Sequence, residues 1–222
     1  MCFMQKRSRS EEQASSEVLT IGHSTRTIEE FIQLLQAHGV TRIADIRTVP
    51  RSRRNPQFNQ ESLPESLKKV GIGYSHFPKL GGLRRAKVDS MNLGWRNTSF
   101  RGFADYMQTL PFEEGLSDLI SMAKEDRIAL MCAEAVPWRC HRSLVSDALL
   151  TRGIQVEHIM SATRRQPHAM TPFAEVNGTQ IIYPGPAESP QLNLLSREPI
   201  ETENVGKVRV PDAERDRRRV RR

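Results

Sequence analysis

Five short apolar runs recur between segments of helical period, and this alternation restricts the fold more than any other property of the chain. The runs are residues 18–21 (VLTI), 42–47 (RIADIR), 74–77 (YSHF), 128–131 (IALM) and 155–159 (QVEHI). Each is too short for a helix and is bounded by turn residues, so each reads as a strand. Between them lie amphipathic segments. The first opens at Thr27 and places Ile28, Phe31, Ile32, Leu34 and Leu35 on one face, before Gly39 stops it. Glu30, three residues after Thr27, completes a capping box. Further helices are expected at residues 63–70, 100–110, 112–124 and 140–152. Strands alternating with helices imply an α/β fold, with a mostly parallel sheet of about five strands and helices on both faces. After residue 163 the pattern changes. Residues 173–176 and 179–183 flank Asn177-Gly178 and read as a C-terminal β-hairpin. The expected organisation is one α/β domain over residues 18–185. A disordered polar segment (1–17) would precede it and a disordered basic tail (186–222) would follow.

The 222 residues suit a single domain with tails, and the net charge of +7 points to an anionic partner. The charge is unevenly placed. Residues 207–222 carry eight Lys/Arg against three Asp/Glu, a net of +5 that leaves about +2 for the remainder. Such a tail would add salt-dependent, sequence-independent affinity for nucleic acid. The three cysteines, Cys2, Cys132 and Cys140, are not a secreted disulfide framework. No apolar run nears the roughly 20 residues that span a bilayer, and the N-terminus lacks a signal-peptide core. A cytoplasmic protein without a membrane partner is expected.

Ligands of a parallel α/β sheet bind beyond the carboxyl ends of the strands. Three of the expected strands end there in polar groups: His23-Ser24, Asp45 with Arg47, and Cys132 with Glu134. Each cluster has a plain structural reading too. His23-Ser24-Thr25 would serve as a helix-capping turn, Asp45–Arg47 as an ion pair on one strand face, and Cys132 as a small buried hydrophobe. Arg51, Arg53 and Arg54 read as a solvated loop, while Arg47, Ser52 and Arg53 near a sheet edge would suit phosphate. The stretch MCAEAVPWRCHR (131–142) concentrates the reactive residues. A helix beginning at Cys140-His141-Arg142 would present free N–H groups and a positive dipole end, stabilising a thiolate or binding an anion. Trp138 would offer a stacking plate. Spacing limits the chemistry. No arginine lies six positions after either cysteine, so a tyrosine-phosphatase-type loop is absent. The seven residues between Cys132 and Cys140 are not a zinc-finger spacing, and no metal site is expected. Neither GxxxxGK[ST] nor GxGxxG occurs, so no cofactor is expected.

An ordered set of motifs resembles the domain-of-unknown-function family 488. They are GHST (22–25), DIR (45–47), the loop holding Pro50, Ser52, Phe58 and Asn59, GIGY (71–74), LGG (80–82), CAE (132–134), CHR (140–142) and PHAMTPFA (167–174) with Tyr183-Pro184. The resemblance spans about residues 18–185, with residues 84–97 unmatched, and it implies an α/β fold and a shared polar pocket. The implied pocket residues are His23, Ser24, Asp45, Arg47, Ser52, Asn59, Tyr74, Gly81, Gly82, Cys132, Glu134, Cys140, His141 and Arg142. Three functions fit this pattern. The first is an enzyme on a nucleotide, nucleic acid or other phosphate-bearing substrate, with Arg47, Arg53 and Arg142 holding the anion. Glu134, Asp45 or His23 would then transfer protons, and Cys132 or Cys140 would attack. The second is a non-catalytic binding module using the same pocket. The third is a cysteine-based redox or metal site.

Overall fold

A computed structural model of the chain describes residues 17–186. The expected disorder at 1–16 and 187–222 lies outside the described residues. Glu17, grouped with the N-terminal segment on sequence, instead opens the first strand. Its carboxylate accepts from Arg127 at 2.6 Å and Arg165 at 2.9 Å, which anchors that strand end.

Six strands form one sheet in the order β3-β2-β4-β1-β5-β6. β1 (Glu17–Gly22), β2 (Arg42–Asp45), β3 (Gly73–His76), β4 (Ile128–Cys132) and β5 (Gln155–Ile159) run parallel, and β6 (Arg165–Pro167) lies antiparallel on the β5 edge. The fold is therefore α/β as expected, with one edge strand more than the periodicity shows. A separate two-stranded hairpin joins β7 (Glu175–Asn177) to β8 (Gln180–Ile182). Asn177 pairs with Gln180, so Gly178 and Thr179 make the turn, one residue later than Asn177-Gly178. Gly178 sits at φ +61°, the conformation a two-residue hairpin loop requires at its first position.

The helices follow from capping and from proline placement. α1 (Ile28–Ala37) starts behind the Thr27–Glu30 capping box. Thr27 Oγ1 accepts from the Glu30 N–H at 3.1 Å and Glu30 Oε2 accepts from the Thr27 N–H at 2.9 Å. α2 (Leu63–Lys68) and α4 (Leu110–Ala123) each carry Pro in the first turn, where no N–H is needed. α3 (Thr98–Tyr106) begins behind Asn97, whose side chain accepts from Ser99 N–H. α5 spans Arg142–Leu150.

Side chains alternate between two cores, one on each sheet face. Leu19, Ile21, Ile43 and Met131 pack on Phe31 and Leu35 of α1 and on Leu63 and Leu67 of α2. Val18, Ala44, Leu130 and Cys132 point the other way, against α3, α4 and α5. The connection after β1 therefore leaves over one face while the connection after β4 leaves over the other. β1 and β4 are neighbours, so their carboxyl ends flank a crevice at a topological switch point. No helix among the described residues is long and apolar enough to cross a membrane.

Candidate functional site

A cleft of about 700 Å³ opens at that switch point. Its floor is the end of β4 and the loop before α5. Gly22 pairs with Cys132, and the His23 and Ser24 N–H groups continue the ladder to Cys132 O and Ala133 O, both at 2.9 Å. The strands must approach closely here. A Cβ on Gly22 would lie 1.9 Å from the Glu134 carbonyl oxygen, so only glycine fits. Ser24 turns the chain away at φ +51°, a left-handed conformation unusual for a residue with a side chain.

Cys132, Cys140 and His141 converge on the floor. Both thiols are buried, and neither is in a disulfide. The His141 Nε2 lies 3.1 Å from the Ile46 carbonyl, which can only accept, so Nε2 carries the proton. Nδ1 then presents its lone pair, 3.9 Å from Cys132 Sγ and 3.8 Å from Cys140 Sγ. Gly82 lies flat against the imidazole. A Cβ there would sit 2.4 Å from Nδ1 and 2.6 Å from Cγ, so the ring is held by a contact no larger residue permits. The ring of Phe103 packs on His141 at 5.0 Å between centroids. Hydrogen bonding from Cys140 holds Cys132 well below the ordinary thiol range, and the same bond pushes Cys140 well above it.

The loop before α5 differs from the sequence expectation. Pro137 starts a 3-10 turn (Pro137–Arg139), so Cys140 is extended and the helix begins at Arg142. Cys140 still lies at the N-terminal end of that helix: its carbonyl accepts from the Ser143 N–H at 3.0 Å, and the Arg142 N–H and charge act to stabilise its thiolate against the opposing effect of Cys132. Arg142 does not face an anion. Its guanidinium is fully buried and clamps the loop, donating to Glu134 O and, at 2.7 Å, to Ala135 O. Its Nε has no partner among the described residues. Trp138 turns away from the cleft and lines a second cavity with Trp95, His168 and Phe173.

The Asp45–Arg47 pair forms one side of the cleft. Arg47 donates to Asp45 Oδ1 from Nε at 2.9 Å and to Oδ2 from Nη2 at 2.6 Å, and Nη2 also reaches Phe58 O at 2.7 Å. Tyr74 donates its hydroxyl to the same carboxylate at 2.8 Å; burial, and then the Asp45 charge, push its phenol up. Asp45 is fully buried and does not line the cleft, so it has no position from which to exchange a proton with a substrate. His23 stacks on Phe58 at 4.3 Å between ring centroids and donates Nδ1–H to Ser24 O, leaving Nε2 to accept from Arg47 Nη1 at 3.3 Å. Burial holds it below the usual histidine range, and both ring nitrogens are occupied. Arg47 and His23 thus line the cleft as a braced wall.

Ser52 lines the cleft, its N–H held by Asn59 Oδ1 at 2.6 Å and its hydroxyl accepting from Asn55 N–H at 3.0 Å. Asn59, Tyr74, Gly81 and Arg142 support the walls from outside the cleft, and the exposed Arg53 does not line it. Besides Arg47, the arginines that do are Arg51 and Arg54 beside it, and Arg139 from the 3-10 turn. Arg139 directly precedes Cys140 within the reactive stretch, which was the available signal for it. Phe100 and Leu83 add an apolar rim that no sequence motif marks. Glu134 lines the cleft with an exposed side chain, the only carboxylate among its described residues.

The family model described as "Domain of unknown function DUF488" matches residues 27–149, more than half of the chain. The chain belongs to the DUF488 family. The match contains Asp45, Arg47 and the whole Cys132–Arg142 stretch, while GHST (22–25) and PHAMTPFA (167–174) lie outside it. No curated protein and no solved structure matches this DUF488 chain.

Proposed function

We propose that this DUF488 protein is an enzyme that holds a phosphate-bearing substrate, such as a nucleotide or a nucleic-acid end, in the cleft and acts on it at the Cys132–Cys140–His141 floor. One juxtaposition carries the reading: a cationic rim stands over two thiols and an imidazole lone pair within the same crevice. Arg51 is shared with Glu61, but Arg54 and Arg139 have no ion-pair partner among the described residues. Guanidinium groups left free at a cleft suit planar anionic oxygens. Glu134 reaches the same space without being consumed by the fold, which suits a general acid or base.

A non-catalytic binding module is the second reading. The spending of His23 and Asp45 in structural hydrogen bonds favours it, because of the three groups expected to transfer protons only Glu134 is left. In either case the basic tail, outside the described residues, would add salt-dependent affinity for nucleic acid.

The test assays wild type, Glu134→Gln and Cys140→Ser against nucleotides, phosphomonoesters and short DNA and RNA oligonucleotides. The enzyme reading expects wild-type turnover that falls by about 10²-fold or more in each folded variant. Saturable binding without turnover would put the binding module in its place. Neither turnover nor binding across the panel would overturn both.

A further inference from the structure

The floor of the cleft has the geometry of a metal centre. Cys132 Sγ, Cys140 Sγ and His141 Nδ1 all lie within 4.8 Å of one another. Zinc bonds sulfur at about 2.3 Å and imidazole nitrogen at about 2.0–2.1 Å. The S···N edge of a tetrahedral site is therefore about 3.6 Å. The two S···N separations here, 3.9 and 3.8 Å, are within a few tenths of an ångström of that edge.

The surroundings of His141 provide a second, independent observation. A ligating histidine ordinarily donates its other ring N–H to a carbonyl or carboxylate, which fixes the tautomer and aims the free lone pair. The Ile46 carbonyl accepts from Nε2 at 3.1 Å, and Gly82 fixes the ring plane by packing on its face. Nδ1 is thereby committed as an acceptor aimed at two sulfurs. A half-buried imidazole needing only to fill space would not require both constraints. The ligands come from two elements that the sheet brings together: the end of β4 supplies Cys132, and the turn before α5 supplies Cys140 and His141. This explains why seven residues separate the cysteines, since the ligands are set by strand and turn rather than by a knuckle.

We infer that Cys132, Cys140 and His141 bind a single soft divalent cation of the zinc class, with its fourth position open to the cleft. Two thiolates neutralise a divalent charge, and three protein ligands with one open position distinguish catalytic from structural zinc sites. The inference deepens the enzyme reading by assigning its floor, and it rests on that reading only for the use of the open position. Metal binding itself is measurable without any substrate.

The full-length protein, stripped of metal under reducing conditions, is titrated with Co²⁺ and separately with Zn²⁺. One equivalent of Co²⁺ should bind with thiolate-to-cobalt charge-transfer absorption in the near ultraviolet, and Zn²⁺ should displace it. Cys2→Ser should leave the signal intact. Cys132→Ser and Cys140→Ser should each weaken binding by on the order of 100-fold or more. A second measurement needs no variant: Zn²⁺ should protect two of the three thiols of wild type from alkylation. Full alkylation in saturating Zn²⁺, with no thiolate band on adding Co²⁺, would overturn the inference. That outcome would leave phosphate binding at the rim to be judged by its own assay. Conversely, a bound metal without nucleotide or phosphate binding would sink the anionic-substrate reading and keep the metal site.

Discussion

Arg142 sits beside a cysteine and a histidine, the company in which an arginine usually serves an anion. The structure gives it to the backbone instead. Its buried guanidinium donates to Glu134 O and Ala135 O, which would otherwise lack partners inside the loop that carries the site. Removing it leaves two carbonyls and a cavity. Arg142→Met is therefore expected to cost about 3–5 kcal/mol of unfolding free energy, read as a lower denaturation midpoint in urea. A cost below about 1 kcal/mol would show that the clamp is dispensable. The residue types of the site were legible in the sequence, but their roles were not. His23, Asp45 and Tyr74 look like proton-transfer or substrate groups in a motif, whereas burial and three-dimensional partners turn them into bracing for Arg47. The same limit hid Arg54, since nothing local distinguishes a cleft arginine in a basic loop from a solvated one.

At the scale of elements, β1, β2 and β4 were readable because both of their faces are buried and their composition is correspondingly apolar. β6 was not readable. Arg165-Gln166-Pro167 has no apolar alternation and becomes a strand only by pairing with the β5 edge. What holds the segment after β6 in place is a buried polar chain. Asp147 of α5 accepts from His168 at 2.8 Å, from the Thr171 hydroxyl at 2.7 Å and from Tyr183 at 2.8 Å. His168 in turn accepts from His158 at 3.1 Å, whose other nitrogen accepts from Thr20 at 2.7 Å. Burial, with His168 and Arg142 adding repulsion, pushes His158 down to about 4. In the unfolded chain it titrates near about 6.5. Above about pH 6.5 neither state holds the proton and this stability is fully present. Between about 6.5 and 4 only the unfolded chain binds it, so stability falls as the solution is acidified, by on the order of 3 kcal/mol in total. His158→Gln should flatten that part of the profile of denaturation midpoint against pH. An unchanged slope would assign the acid sensitivity to other groups.

At the scale of the whole molecule, topology decides where chemistry is possible. β1 and β4 are adjacent while the connections after them leave over opposite faces, and the crevice between their ends is where the Cys132 floor and the arginine rim meet. The net charge of +7 pointed toward anions, but much of it lies in residues 207–222, so total charge alone does not locate a binding site. The central claim is that the cleft itself binds phosphate through Arg54 and Arg139. Calorimetric titration of inorganic phosphate and of AMP at low salt tests it most directly, with full-length wild type compared against the Arg54→Ala/Arg139→Ala double variant. The account predicts saturable binding to wild type, weakened by about 10-fold or more in the folded double variant, because each charge-assisted hydrogen bond is worth about 1.5–3 kcal/mol. Equal affinity in the two proteins, or no binding to wild type, would contradict it.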